Sequence, residues 1–425
     1  MENVVQIKPS KSAGNQSSVE FIRLPNGLRV ISEYVPTVES FALGVWVNAG
    51  SRDERPETAG TAHFIEHLIF RRSERRSARA IAAAFEDMGA YSNAFTTKEH
   101  TCFYVRALRG HFRKCAALLA EITLQPAFHP ADVEKERDVI LEEIKSYDDE
   151  PEEQIFDELE RRLFAGHPLS HPIAGEAHTV GAISREYITT FYKRQYHPET
   201  MVVAVAGNIP HHEAQVVAGK YFGFAAEGQI NHERSSPAAV AGGSTAIAKP
   251  FQQSHIVSAA RIDGAASPDR YVYAVLNTAF GEGMSSRLYQ RLRERSALAY
   301  SVYSAVQLMS DCGTLAVYAG VDGRNTDKAR RGIAEETDKL RQAAIGSKEL
   351  TRAKEQVKAA IVMGLEDMSS RMNYLAKSEL EEGGYEPAEA AIAKTDAVTA
   401  AGILRVAQQR LTPEVMQEVV FRRGK

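Results

Sequence analysis

At 425 residues the chain is longer than one hydrophobic core serves, about 250–300 residues, and length alone predicts about three domains. Its 44% hydrophobic and 25% charged residues exclude a disordered chain, a collagen-like fibre and a small disulfide scaffold. With 51 basic against 55 acidic residues, a net charge of -4, no global positive field exists to hold nucleic acid.

In chain order, residues 1–18 are polar, with no apolar core or Arg-rich amphipathic pattern. They are expected as a disordered lead, neither signal nor transit peptide. Residues 21–24 and 28–32 flank Asn26-Gly27, a strong hairpin signal, and 41–47 reads as a third strand. Helices are predicted over 59–70 and 78–88, then a strand pair, 91–96 and 101–107, then helices over 110–123, 131–147 and 151–164. Pro130 and Pro151 stand at two of those helix starts, where a missing N–H costs nothing. The apolar run 201–206 is a buried strand. Residues 225–248, rich in Gly, Ser, Pro, Asn and Gln, read as an interdomain linker. Beyond it come a strand at 254–262, helices at 271–280 and 286–295, a strand pair at 301–308 and 313–321, helices at 327–344 and 348–366, and a last strand at 416–421.

The second series repeats the first, and Ala90-Tyr91-Ser92 and Ala299-Tyr300-Ser301 head the two strand pairs. An internal duplication explains this repeated order, so two domains replace three. The expected fold is α+β: two homologous domains, each an antiparallel-rich sheet packed by helices, over residues 19–224 and 249–425. Cys102, Cys115 and Cys312 are widely spaced with no CxxC pair, and read as buried thiols of a reducing, cytoplasmic protein. No apolar run approaches the roughly 18 residues that span a bilayer, so no membrane partner is expected.

Within the 59–70 helix, His63, Glu66 and His67 spell H-x-x-E-H. Residues four apart share a helix face, so the two imidazoles can serve one Zn²⁺, with Glu66 on nearly the same side as a general base for water. By composition the motif arises by chance in roughly one in thirty chains of this length. Against a chance surface pair, the neighbours Phe64, Ile65, Leu68, Ile69 and Phe70 are core-type, and buried polar groups need partners. A catalytic zinc wants a third ligand. A carboxylate of the 131–147 helix is expected, with Glu142 and Glu143 as the candidates.

The stretches GTAHFIEHLIF (60–70), EKERDVILEEI (134–144), GHPLSHPIAG (166–175) and SSRLYQRLRERSALAYSVY (285–303) together resemble the M16 (pitrilysin/insulinase) zinc peptidases. Size and pattern resemble the M16B branch, which includes the mitochondrial processing peptidases and bacterial relatives. The resemblance runs from residue 19 to 421. It implies one zinc per chain, with Glu143, seventy-six residues after His67, as third ligand. It implies Glu136 as a carboxylate supporting a ligand histidine, and Arg293 and Tyr300 as groups facing the zinc from the second domain. Asn93, Ala94 and Phe95 match the edge strand that pairs with an extended substrate. The second half has no H-x-x-E-H, and Gly281–Ser286 reads as its equivalent segment.

The resemblance therefore implies a zinc metallo-endopeptidase acting on peptides or unfolded, presequence-like polypeptides inside a clam-shell chamber. A single chain holds half the domains of a four-domain chamber. A homodimer is expected, with a heterodimer as the alternative, because both the zinc motif and the Arg/Tyr pair are present. A catalytically silent scaffold or peptide-binding subunit, and a zinc-dependent chaperone, are the competing classes. The basic cluster Arg71, Arg72, Arg75, Arg76 and Arg79 departs from the family pattern and reads as a solvated helix-start face. The acidic block of residues 148–160 reads as solvated surface, attractive to basic peptides if it lines the chamber. His100, His111, His129, His167 and His171 follow no ligand spacing and read as turn or surface residues.

Overall fold

The Asn26-Gly27 turn closes a hairpin: Gly27 has φ +90°, where a side chain would be strained, and Leu24 N–H donates to Leu28 O at 2.8 Å. The computed structural model describes residues 18–223 and 234–423. Residues 1–17 of the expected lead and 225–233 of the expected linker lie outside these, and Ser18, the last residue of that lead, begins the first strand. In chain order the strands and helices are β1 (Ser18–Arg23), β2 (Arg29–Tyr34), β3 (Ser40–Val47), α1 (Thr61–Ile69), α2 (Ala78–Glu86), β4 (Tyr91–Thr96), β5 (Thr101–Leu108), α3 (Phe112–Leu124), α4 (Pro130–Ser146) and α5 (Pro151–Leu163). Then come α6 (Ala177–Ala182), α7 (Arg185–Gln195), β6 (Met201–Gly207), α8 (His211–Phe222), β7 (Gly243–Lys249), β8 (Ser254–Asp263) and α9 (Arg270–Phe280). After a π-helical segment, Tyr289–Glu294, follow β9 (Ala299–Leu308), β10 (Cys312–Val321), α10 (Thr326–Gln342), α11 (Ser347–Gly364), α12 (Met368–Glu381), α13 (Ala388–Ala397), α14 (Ala400–Arg410) and β11 (Gln417–Arg423).

The fold is α+β, two units each built on one mixed sheet, ordered β1-β2-β6-β3-β5-β4 and β7-β11-β8-β10-β9. Both repeat one series: strand, two helical segments, strand pair, three long helices. That order matches α1 to α9. Gly281–Ser286, expected as the motif's equivalent, is instead the connection that follows α9.

The units do not follow the halves of the sequence. One comprises residues up to Ile144, His171–Arg234 and Gly364–Tyr385; the other Lys145–Ser170, Ser235–Met363 and residues from Glu386 on. The central strands are apolar on both faces, so each sheet needs cover on both sides. In β3, Phe41, Leu43, Val45 and Val47 join one core cluster with Phe64, Ile65 and Leu68 of α1. Ala42 and Trp46, on the opposite face, pack with Met372, Leu375 and Ala376 of α12. Gly44 makes room, since a Cβ there would lie 2.4 Å from Met372 Sδ. Arg371 pairs with Glu33, and Arg29 with Glu379 at 3.5 Å, fixing α12 to β2. In the second unit the reciprocal cover is α5, whose Ile155, Leu159 and Leu163 pack with Val257, Ala259, Tyr318 and Phe421.

Several expectations change here. The end of the expected linker, residues 243–248, belongs to β7, which pairs in parallel with β11, a partner more than 160 residues away in sequence. Part of the acidic block is half-buried and paired rather than fully solvated: Glu152 accepts from Tyr303, and Glu158 pairs with Arg161 at 3.1 Å and with Arg162. His100, expected as a turn or surface residue, lies in the β4–β5 turn but is buried, with Nδ1 3.4 Å from Glu381 on α12, because that helix covers the turn. The three cysteines are free and buried. Among the described residues no helix is long and apolar enough to cross a membrane.

Candidate metal centre

α1 is a short helix held by its surroundings. Gly60, at φ +101°, caps it where a Cβ would lie 2.7 Å from Ala174 O, so only glycine fits. The buried Glu54 carboxylate accepts the N–H groups of Gly60 and Ala62 at 2.7 and 2.5 Å, satisfying donors that a helix start leaves open. Burial pushes the Glu54 carboxyl up to about 8, against the pull of those two N–H groups. Glu54 was not visible as a site residue in the sequence, because nothing marks a carboxylate six positions before the cap.

Ala62, Phe64, Ile65, Leu68 and Ile69 anchor α1 in the core, leaving His63, Glu66 and His67 half-buried on the remaining side. Facing them is α4. His63 Nε2 lies 3.9 Å from Glu143 Oε1, and His67 Nε2 lies 3.5 Å from Glu143 Oε2. One donor atom from each of the three residues lies within 4.8 Å of the others. Glu142, the other candidate, is exposed: adjacent helical residues point about 100° apart, so only one of the two can face α1. Glu136, two turns before Glu143 and buried, sits with Oε2 3.2 Å from His67 Nδ1. That contact occupies Nδ1 and leaves Nε2 to face Glu143.

At His63 the electrostatics suit ligation. Burial, then the neighbouring His67, pushes His63 down to about 4, so its ring is neutral with a lone pair to offer. Burial also works against a charge on His67, but the Glu136 contact and the carboxylates of Glu143 and Glu66 outweigh it and raise its pKa. Burial opposes the Glu136 charge too, and His67 and Arg71 overcome it, holding the carboxyl low. Glu66 is raised by burial, partly offset by Thr96, whose hydroxyl donates to Oε2 at 2.6 Å. Thr96 ends β4 and carries no sequence signal for this contact.

Two imidazoles and one carboxylate are the donor set of a catalytic zinc site, whose bonds of about 2.0–2.2 Å put ligand atoms about 3.3 Å apart. Separations of 3.5 and 3.9 Å approach that value, with the Nε2 atoms of both imidazoles turned to the Glu143 carboxylate. The residues present fit such an ion.

The other expected residues sort by unit. Asn93, Ala94 and Phe95 lie on β4, an edge strand of the first sheet beside α1. Ala94 N–H donates to Asn93 Oδ1 at 2.9 Å, and Phe95 packs edge-on against Trp46, which marks its ring as core. Arg293 and Tyr300 belong to the second unit and are described within it. Arg293 is exposed on the π-helical segment, its guanidinium 5.1 Å from the Tyr289 ring centre. Tyr300, near the start of β9, is 78% exposed, the most exposed large apolar side chain among the described residues.

Residues 29–177 match the insulinase family of peptidases, family M16, and residues 182–357 match the M16 inactive domain. The chain belongs to peptidase family M16. An uncharacterized zinc protease of Mycobacterium leprae is 39% identical to this M16 chain over 95% of its length and 92% of the relative's. The Bacillus subtilis uncharacterized zinc protease YmxG is 34% identical, covering 92% and 95%. A protease from Helicobacter pylori shares the fold with TM-score 0.89 at 20% identity, over 96% of this chain and 100% of that one.

Proposed function

We propose that this M16 chain is a zinc-dependent endopeptidase of peptides or unfolded, presequence-like polypeptides. The observation that carries the reading is the convergence of His63, His67 and Glu143 beside Glu66. His63, His67 and Glu143 hold one zinc per chain, and Glu136 orients the His67 ring. When bound, zinc supplies Lewis acidity, polarising a peptide carbonyl and acidifying water. Glu66 takes the proton from the attacking water at the carboxylate oxygen that Thr96 leaves open, and passes it to the departing amine. β4 offers its free edge to an extended substrate around Asn93, Ala94 and Phe95, which fixes the register of the scissile bond. Resemblance to the family adds Arg293 and Tyr300 as donors to the developing oxyanion.

The test is cleavage of a basic unfolded peptide by purified protein, with and without chelator, beside Glu66→Gln. Turnover that requires metal and disappears in Glu66→Gln supports the reading; turnover that survives either treatment sinks the mechanism. One equivalent of zinc bound without cleavage moves the chain to the peptide-binding class. The proposed homodimer is checked on the same sample by light scattering.

A further inference from the structure

Within the basic cluster after α1, Arg75, Arg76 and Arg79 are exposed as expected, but Arg71 and Arg72 are half-buried and pair with carboxylates of α4. His63, His67 and Arg71 follow at intervals of four, and the Arg71 N–H donates to Leu68 O at 3.0 Å, so the turn continues past the last residue of α1. Asp132, Glu136 and Glu143 share the facing side of α4. Arg72 grips Asp132 with Nε to Oδ2 at 2.7 Å and Nη2 to Oδ1 at 3.5 Å. Arg71 pairs with the buried Glu136, whose other oxygen meets His67. His67 and His63 then face Glu143. As numbering rises from 63 to 72 on one side, the partner falls from 143 to 132 on the other, forming an antiparallel ladder.

The rungs are unequal. At the metal end the contacts are 3.5 and 3.9 Å, longer than a good hydrogen bond, and restrain direction weakly. At the arginine end they are ion pairs, and the two nitrogens that Arg72 places on Asp132 fix direction as well as distance. The backbone reinforces that end: Ala127 N–H donates to Arg72 O and Glu74 N–H to Gln125 O, each at 3.0 Å, just before α4 begins.

We propose that Arg71 and Arg72 are positioning residues of the metal site. They set the register of α4 against α1, so that Glu136 and Glu143 stand ready for the ion before it binds. The inference deepens the zinc reading and rests on it. An acidic partner or nucleic acid is a poorer fit, since Arg71 and Arg72 are engaged and Arg76 pairs with Glu121 of α3 at 3.2 Å.

The experiment is zinc affinity by competition with a chromophoric chelator, with no peptide present. The Arg71→Ala/Arg72→Ala protein should bind zinc roughly 10–100-fold more weakly, the range for groups that support a ligand. Arg76→Ala, which cuts the same segment from α3 rather than α4, should stay within about twofold, well below that range. Unchanged affinity in the double variant, or equal weakening in Arg76→Ala, overturns the proposal. If the alanine pair does not fold, Arg71→Lys/Arg72→Lys keeps the charge and loses the fork. A several-fold weakening there supports the ladder, and unchanged affinity refutes it. Wild-type protein that takes up no zinc refutes the zinc reading itself; wild type that binds beside indifferent variants refutes only the ladder.

Discussion

α1 and α9 occupy the same place in the two repeats and have opposite contents. α9 buries Tyr273, Val275, Leu276, Ala279 and Phe280, and its one buried phenol donates to Asp263 at 2.6 Å. α1 leaves His63, Glu66 and His67 half-buried, with His63 Nδ1 unpartnered by protein. An apolar helix suffices to pack this fold, since the second unit does so. The polar trio is therefore a departure that packing does not require, and protein groups compensate its desolvation only in part: Glu136 meets His67 and Thr96 donates to Glu66, while His63 Nδ1 has no protein partner. The stability of one unit and the chemistry of the other are two uses of one scaffold.

That contrast can be broken at four points. The largest expected effect is Glu66→Gln, which keeps the ligands and removes the base: peptide hydrolysis should fall about a thousandfold while metal analysis still finds zinc. Leu276→Ala on α9 should do the reverse, costing about 2–5 kcal/mol in denaturant unfolding while the folded protein binds zinc as before. Lost zinc affinity in that variant would mean the division of labour is not as clean as α1 and α9 suggest. Thr96→Val should lower kcat roughly tenfold with KM and zinc content unchanged, because a charge-assisted hydrogen bond to Glu66 is lost. Thr96→Ser should restore it. Smallest is the metal-free protein carrying His63→Leu: an apolar side chain in place of a ring whose Nδ1 has no protein partner should raise stability in denaturant unfolding by about 1 kcal/mol. Metal-free stability that falls instead would show His63 to be structural.

Much of this arrangement is legible in short stretches. The Asn26-Gly27 turn, Pro130 and Pro151 at helix starts, and the three-and-four spacing of His63, Glu66 and His67 are local features, and each stands in the structure where its chemistry requires. The choice between Glu142 and Glu143 was open from composition and was closed by which side of α4 meets α1. Arg71 and Arg72 look like exposed cations in sequence because their partners lie about 60 residues away. His100 looks like a turn histidine because α12, which covers it, comes some 270 residues later.

The division follows from range. Periodicity, caps and motif spacing act within a few turns, so the amino-acid order alone specifies the elements, the duplication and two imidazoles on one helix face. Pairing across hundreds of residues has no local signature. Which long helix covers which sheet, whether residues 243–248 link or pair, and which carboxylates complete the site are settled by burial and charge compensation once the chain has folded. The exchange of α5 and α12 is the plainest case. Each is an amphipathic helix by pattern, and only the second apolar face of a distant sheet decides where it goes.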